Sequence, residues 1–201
     1  GTGKVLAGKR VEVTANDGGT QVIEGANIII ATGARSRQLP NLTQDGNKII
    51  GYREAMTLKS QPKKMVVVGS GAIGVEFAYF YNSLGTDVTI VEYMDGIVPI
   101  EDKEVGKQLQ KSLKKQGITI KTSSEVTSVD TSGSGCKVSV KTKKGDEVID
   151  CDIVLSAVGV VANIENIGLE DVSFDEAKNC FHLHLEALSN ATKKTVKNMK
   201  R

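Results

Sequence analysis

The chain has 201 residues, with 26 basic and 24 acidic side chains, a net charge of +2, and 39% apolar and 25% charged content. That balance belongs to a soluble globular protein of one domain or slightly more, and no apolar run approaches the roughly 18 residues of a membrane span. The N-terminal stretch GTGKVLAGKR has no apolar core of signal-peptide length, so the expectation is a cytoplasmic protein with no membrane partner.

The charge is unevenly spread. Residues 174–201 hold six basic side chains (Lys178, Lys193, Lys194, Lys197, Lys200, Arg201) against three acidic ones (Asp175, Glu176, Glu186), which is +3 and leaves about −1 for the rest. The cluster KKTVKNMKR could meet nucleic acid or an acidic membrane surface, but it reads as a solvated terminus, and no nucleic-acid partner is expected.

In chain order, residues 1–25 read as short antiparallel strands. Residues 9–14 (KRVEVT) alternate charged and apolar side chains, Asn16-Asp17-Gly18-Gly19 is a hairpin turn, and residues 21–24 return. Residues 27–34 follow with an isoleucine run that reads as a buried strand, ending in small residues that admit another backbone or a ligand. From Pro40 to Lys48 the chain is polar and loop-like. Residues 51–58 suit a short helix, and 61–64 connect into the next unit.

That unit, 65–92, reads as strand, glycine turn, helix and strand. Residues 65–68 are an apolar, mostly β-branched run for a strand buried on both faces. Residues 72–84 place Ile73, Phe77, Phe80, Tyr81 and Leu84 at helical spacing, and Gly85 stops the helix. Residues 87–91 form the next strand, closed by Glu92. The turn itself fits a dinucleotide: Gly69 makes the bend, Gly71 lets the backbone approach a pyrophosphate, and Gly74 lets helix and strand pack closely. The phosphates would rest on the helix N-terminus, where unpaired N–H groups and the helix dipole favour negative charge. Glu92 stands near the spacing of about 20 residues at which a carboxylate accepts from adenosine ribose hydroxyls. Tyr93, Met94 and Asp95 follow it with no basic side chain, which favours NAD over NADP. The competing readings are a flexible glycine loop and a solvated strand-end carboxylate.

Residues 93–101 read as a loop with Pro99. A helix follows over 102–116, with Val105, Leu109, Ser112 and Leu113 inside, Glu101 and Asp102 at its positive end, and Lys114 and Lys115 before the stop at Gly117. Residues 118–122 would be a third parallel strand. A meander then runs over 125–130, 136–142 and 147–150, and a last strand covers 153–157 before Val158-Gly159. Cys136, Cys151 and Cys180 are far apart in sequence, form neither a metal spacing nor a closely spaced redox pair, and are expected reduced, with Cys151 packing in a strand. His182 and His184 could ligate a metal if on a strand, but no other ligand lies at a metal spacing, so no metal is expected.

With these landmarks in order, residues 1–172 resemble the FAD- and NAD-dependent disulfide oxidoreductases, and within them the dihydrolipoamide dehydrogenases. Four segments carry the likeness: IIIATGARSRQLP at 28–40, VVVGSGAIGVEFA at 66–78, VTIVE at 88–92 and CDIVLSAVGVVANIENIGLE at 151–170. The resemblance implies an α/β chain. A partial FAD-domain β segment (1–60) precedes a three-layer Rossmann-type NAD-binding domain (61–160) with a parallel sheet and β-meander crossover, and a return segment with a divergent basic tail (161–201) follows. It implies that Gly69, Ser70, Gly71, Ala72, Ile73, Gly74, Val75 and Glu76 wrap the pyrophosphate, with Glu76 near the nicotinamide. Glu92 would bind the ribose, Val126 would touch the adenine, and Gly159 would lie on the nicotinamide side. Thr32, Gly33 and Ala34 would contact FAD, and Gly3 would lie near its adenine. The parent enzyme would be a homodimer associated with 2-oxo acid dehydrogenase complexes.

The departures bear on activity. Val160 and Ala162 stand where many members have an arginine and a proline, and after about Val172 the expected flavin-binding continuation does not appear. The family passes electrons from dihydrolipoamide through a cysteine pair and FAD to NAD. This chain has no close cysteine pair, no N-terminal flavin glycine motif and no interface domain with a catalytic base, so the expectation is an internal portion that holds NAD without turnover and has no catalytic residue of its own. Two alternatives stay open: a stand-alone nucleotide-binding or assembly module, and part of another reductase of the superfamily, such as a mercuric or glutathione reductase.

Overall fold

The computed structural model describes residues 1–169 and 172, with the backbone of 180–182. The chain divides into two compact units, Gly1–Arg35 with the residues from Val160 onward, and Ser36–Gly159. Residues 36–60 therefore belong with the parallel-sheet unit, whereas the sequence expectation began that unit at 61.

In the first unit β1 (Thr2–Leu6), β2 (Arg10–Thr14) and β3 (Thr20–Glu24) form an antiparallel sheet in that order, with the hairpin turn at 15–19 as its sequence predicts. The isoleucine strand is short, β4 (Ile28–Ile30), and only Ile30 is buried; Ile29 is 59% exposed. The expectation of a buried run fails because β-strand side chains alternate between faces, so three isoleucines in a row cannot share one. β5 (Ala34–Ser36) follows.

The second unit is built on a parallel sheet. β6 (Ile49–Ile50) and the one-turn helix α1 (Tyr52–Ala55) lead into β7 (Lys64–Val68), α2 (Ala72–Ser83), β8 (Asp87–Val91), α3 (Lys103–Lys115) and β9 (Thr119–Lys121). A meander of β10 (Glu125–Asp130), β11 (Cys136–Thr142) and β12 (Gly145–Cys151) returns the chain to β13 (Ile153–Ser156). The sheet order is β6-β13-β7-β8-β9, all parallel. The chain steps outward from β7 through β8 to β9, and β13 then joins on the other side of β7, so the connections diverge between β7 and β13.

Side chains along β7 sort by parity into two cores. Met65 and Val67 pack with Val75, Ala78, Tyr81 and Leu113 on the helix side, while Val66 and Val68 pack with Val126, Val138 and Val140 of the meander. Helices, sheet and meander are thus three layers, and burying each such valine or leucine contributes roughly 1.5–3 kcal/mol.

The helix faces differ from their periodicity. Gly74, Val75, Ala78 and Tyr81 are the buried face of α2, and Phe80 (51% exposed) and Leu84 (53%) point outward. Small residues at 74 and 78 bring the helix close to the sheet, and of the predicted stripe Tyr81 is buried there and Phe77 packs partly against the core. In α3, Gly106 and Leu113 are buried and Val105 is 57% exposed. A Cβ at Gly106 would lie 2.9 Å from the Ile97 carbonyl oxygen, so the glycine faces the 93–101 loop. The caps agree with the sequence: the Asp102 carboxylate accepts from the N–H groups of Glu104 and Val105, and Gly85 and Gly117 end their helices at φ +97° and +98°.

Beyond Gly159, β14 (Val160–Ala162) pairs with β5, and β15 (Cys180–His182) runs parallel to β4. The expectations for His184, the histidine pair and the basic tail fall outside the described residues. Among those described, no helix is long and apolar enough to cross a membrane, and no three metal-ligating side chains gather.

Candidate nucleotide-binding site

The C-terminal ends of β7, β8 and β13 converge on the glycine turn. Gly69 has φ +94°, and a Cβ there would fall 2.5 Å from the carbonyl oxygen of Ala157, just past β13. Only glycine satisfies both demands. At Gly74 a Cβ would collide with the Gly69 carbonyl oxygen and come within 3.4 Å of the Ala157 Cβ, so this glycine lets the first turn of α2 rest on the bend. Gly71 is different. Its backbone (φ −65°, ψ 179°) suits any residue, and a Cβ there would meet nothing within 4 Å. Packing gives no reason for glycine at 71; open space lies over it.

Gly71 is also the N-cap of α2. No side chain caps this end, and the first turn carries no acidic residue. Helix geometry leaves the first N–H groups without intrahelical partners, so an open, uncapped terminus offers donors to an anion. Ala72 and Ile73 begin this turn, Val75 packs its side chain into the helix-side core, and Glu76 is exposed on the helix surface.

Glu92 lies beneath the turn rather than in solvent, at 6% exposure. The Ser70 N–H (2.8 Å) and hydroxyl (2.7 Å) both donate to Oε2, and the Met94 N–H donates to Oε1 (2.7 Å). Its backbone is fixed as well, through Glu92 N–H to Lys121 O and Ser124 N–H to Glu92 O. The glycine turn and the strand-end carboxylate, 23 residues apart, are therefore one hydrogen-bonded assembly.

The loop after β8 completes it. Val98 donates its N–H to the Ser70 carbonyl at 2.9 Å while its own backbone is left-handed, at φ +43°. For a β-branched residue that conformation costs on the order of 1–3 kcal/mol and persists only where its surroundings enforce it. Nothing in the sequence marks Val98 for this role.

The remaining candidates are dispersed. Val126 turns its side chain into the meander-side core, and its carbonyl accepts from Asn41 Nδ2 at 2.5 Å. Gly159 has φ +104°, and its carbonyl accepts the Arg37 N–H. Gly3, Thr32, Gly33 and Ala34 belong to the first unit. Gly3 sits in β1 with only an ordinary contact to Val11, and Ala34 is buried. Thr32 donates its hydroxyl to the Asn163 carbonyl at 2.5 Å and accepts from Asn163 Nδ2, while the Gly33 carbonyl accepts the Asn163 N–H. The Thr32 hydroxyl and the carbonyls of Thr32 and Gly33 are thus turned to Asn163. Nearby, Arg35 grips Glu165 with two bonds of 2.8 and 3.0 Å and holds its carboxyl well below the ordinary range, at about 2.

The structure also pairs two cysteines that sequence distance had separated. Cys136 and Cys151 stand directly opposite each other on β11 and β12, both buried and free. Burial is the main cause that pushes both thiols up, Cys151 to about 12. They lie at the far end of the unit from the glycine turn, against the start of β7, where Cys136 Sγ contacts the carbonyls of Lys48 and Asp152.

Comparison with known proteins places these features in a family. Residues 2–179 match the model for pyridine nucleotide-disulphide oxidoreductases. The chain is 46% identical over 155 residues to a dihydrolipoyl dehydrogenase of Rhizobium etli, covering 77% of this chain and 32% of that protein. It is 39% identical over 180 residues to leghemoglobin reductase of Vigna unguiculata, covering 89% and 34%. The crystal structure of LpdA from Mycobacterium tuberculosis superimposes with a TM-score of 0.74 at 32% identity, over 85% of this chain and 38% of that one. The chain spans about a third of the length of the curated relatives it matches.

Proposed function

Because the chain belongs to the pyridine nucleotide-disulphide oxidoreductase family, we propose that its Ser36–Gly159 unit holds NAD for an enzyme of the dihydrolipoyl dehydrogenase type. The observation that carries this reading is the contrast among the three glycines. Gly69 and Gly74 are explained by packing, whereas Gly71 faces open space at an uncapped helix end. A backbone kept bare where nothing else needs the room is what a closely approaching pyrophosphate requires.

In this reading the N–H groups at the start of α2 bind the pyrophosphate, with the bend at Gly69 aiming them and Gly74 keeping helix and bend in contact. Glu92 accepts from the adenosine ribose and, as a buried carboxylate, repels a 2′-phosphate. Glu76 and Gly159 line the nicotinamide side. NAD, when bound, supplies the hydride acceptor. The chain's own residues bind and orient it, and none is assigned to bond-making. The Thr32 hydroxyl and the Thr32 and Gly33 carbonyls are turned to Asn163, so these groups are not offered to FAD.

Two measurements on the 201-residue chain test this together. Calorimetric titration with NAD should show one saturable site, and dihydrolipoamide with NAD should give no NADH formation. A chain that takes up no NAD refutes the binding role; dihydrolipoamide-dependent NADH production refutes the assignment of chemistry elsewhere.

A further inference from the structure

In the proposed reading Glu92 accepts from the ribose, and the structure shows what holds Glu92 in place. Ser70 is fully buried, so its hydroxyl has no water to bond, and its acceptor is Glu92 Oε2. The Ser70 N–H donates to the same oxygen. A carboxylate offers roughly four acceptor directions, two on each oxygen. Ser70 takes both on Oε2, and Met94 takes one on Oε1. One direction remains.

We propose that Ser70 is a positioning residue for dinucleotide discrimination, its hydroxyl locking the Glu92 carboxylate beneath the glycine turn with a single acceptor direction on Oε1 left for the ribose. This rests on reading the unit as an NAD holder. With the lock in place, the negative charge stays fixed where a 2′-phosphate would have to sit, and desolvation by the surrounding turn keeps the repulsion strong. Without the hydroxyl, Oε2 keeps only the backbone N–H bond. The carboxylate can then swing toward solvent, where its charge is screened and its ribose contact is lost.

The experiment compares the wild-type chain with Ser70→Ala, Ser70→Gly, Glu92→Gln and the double variant Ser70→Ala/Glu92→Gln, each titrated with NADH and NADPH. NADH affinity should fall about tenfold in Ser70→Ala, as expected for one hydrogen bond to a charged group. The preference for NADH over NADPH should shrink by a similar factor, a change that general loosening of the fold would not produce. Ser70→Gly, which removes the hydroxyl without adding bulk, should behave alike and serves if the alanine variant does not fold. Adding Ser70→Ala to Glu92→Gln should change NADH affinity less than twofold, because the serine acts through the carboxylate. Wild-type affinity and preference in both Ser70 variants, or fully additive losses in the double variant, would overturn the inference while leaving NAD binding intact. A wild-type chain that binds neither nucleotide would overturn the underlying reading instead.

Discussion

Replacing Gly71 by alanine separates ligand binding from folding at the glycine turn. The backbone there is extended and a methyl group would meet nothing within 4 Å, so the folded state tolerates it without strain. Two small effects oppose each other: alanine restricts the unfolded chain, worth about 0.4–1 kcal/mol in favour, and is a poorer N-cap than glycine by a similar amount. The net change in unfolding free energy should be within about 0.5 kcal/mol. For the nucleotide the same methyl occupies the approach path of the pyrophosphate and costs at least one charge-assisted hydrogen bond. That is about 1.5–3 kcal/mol, or roughly 10- to 100-fold in affinity. Gly74→Ala is the counterpart. Its Cβ would lie against the Gly69 carbonyl, 3.1 Å from the Gly69 carbonyl carbon and 3.4 Å from the Ala157 Cβ, so it should destabilise the fold by about 1–3 kcal/mol. Urea unfolding and NADH fluorescence titration on both variants provide the test. Wild-type NADH affinity in Gly71→Ala, or a stability loss there as large as in Gly74→Ala, would refute the division of labour among the glycines.

Two further outcomes follow from the titration of particular groups. Cys136 and Cys151 should resist iodoacetamide at pH 8 in the native chain and label fully in denaturant, since both are buried and Cys151 is pushed up to about 12; native labelling detected by peptide mass spectrometry would contradict this. Glu165 is drawn from its ordinary value of 4.5 to about 2, chiefly by its hydrogen bond to Arg35. Its ionised form is therefore favoured by folding, and the contribution is complete above about pH 4.5 and lost as pH falls toward 2. The stability difference between wild type and Glu165→Gln should be small, because both partners are about half exposed. It should shrink in urea unfolding between pH 6 and pH 3, and a difference that grows as pH falls would reverse the sign of the argument.

Much of the second unit was legible in the sequence because glycines and β-branched runs act locally. Gly85 and Gly117 end their helices where expected, and the β7, α2 and β8 boundaries follow from the valine runs and the turn between them. What escaped depends on distance and register. The two-residue strand β6 is too short to carry a pattern and exists only because β13 lies beside it. The buried face of α2 follows only in part from its large apolar residues: Tyr81 is inside as its spacing predicts, but close packing also selects Gly74 and Ala78 and leaves Phe80 and Leu84 exposed. Cys136 and Cys151 face each other only once the meander register is fixed. The glycine turn and Glu92 were each visible as spacing, but nothing local in the chain indicates that Ser70 bonds to Glu92 or that Val98 is forced left-handed to hold Ser70.

A buried carboxylate beneath an open glycine turn should discriminate between the two dinucleotides, and the ratio of NADH to NADPH affinity in the unmodified 201-residue chain measures that discrimination. The expected result is saturable NADH binding at least tenfold tighter than NADPH, equivalent to about 1.4 kcal/mol or more. Equal affinities, or binding of NADPH alone, would contradict it.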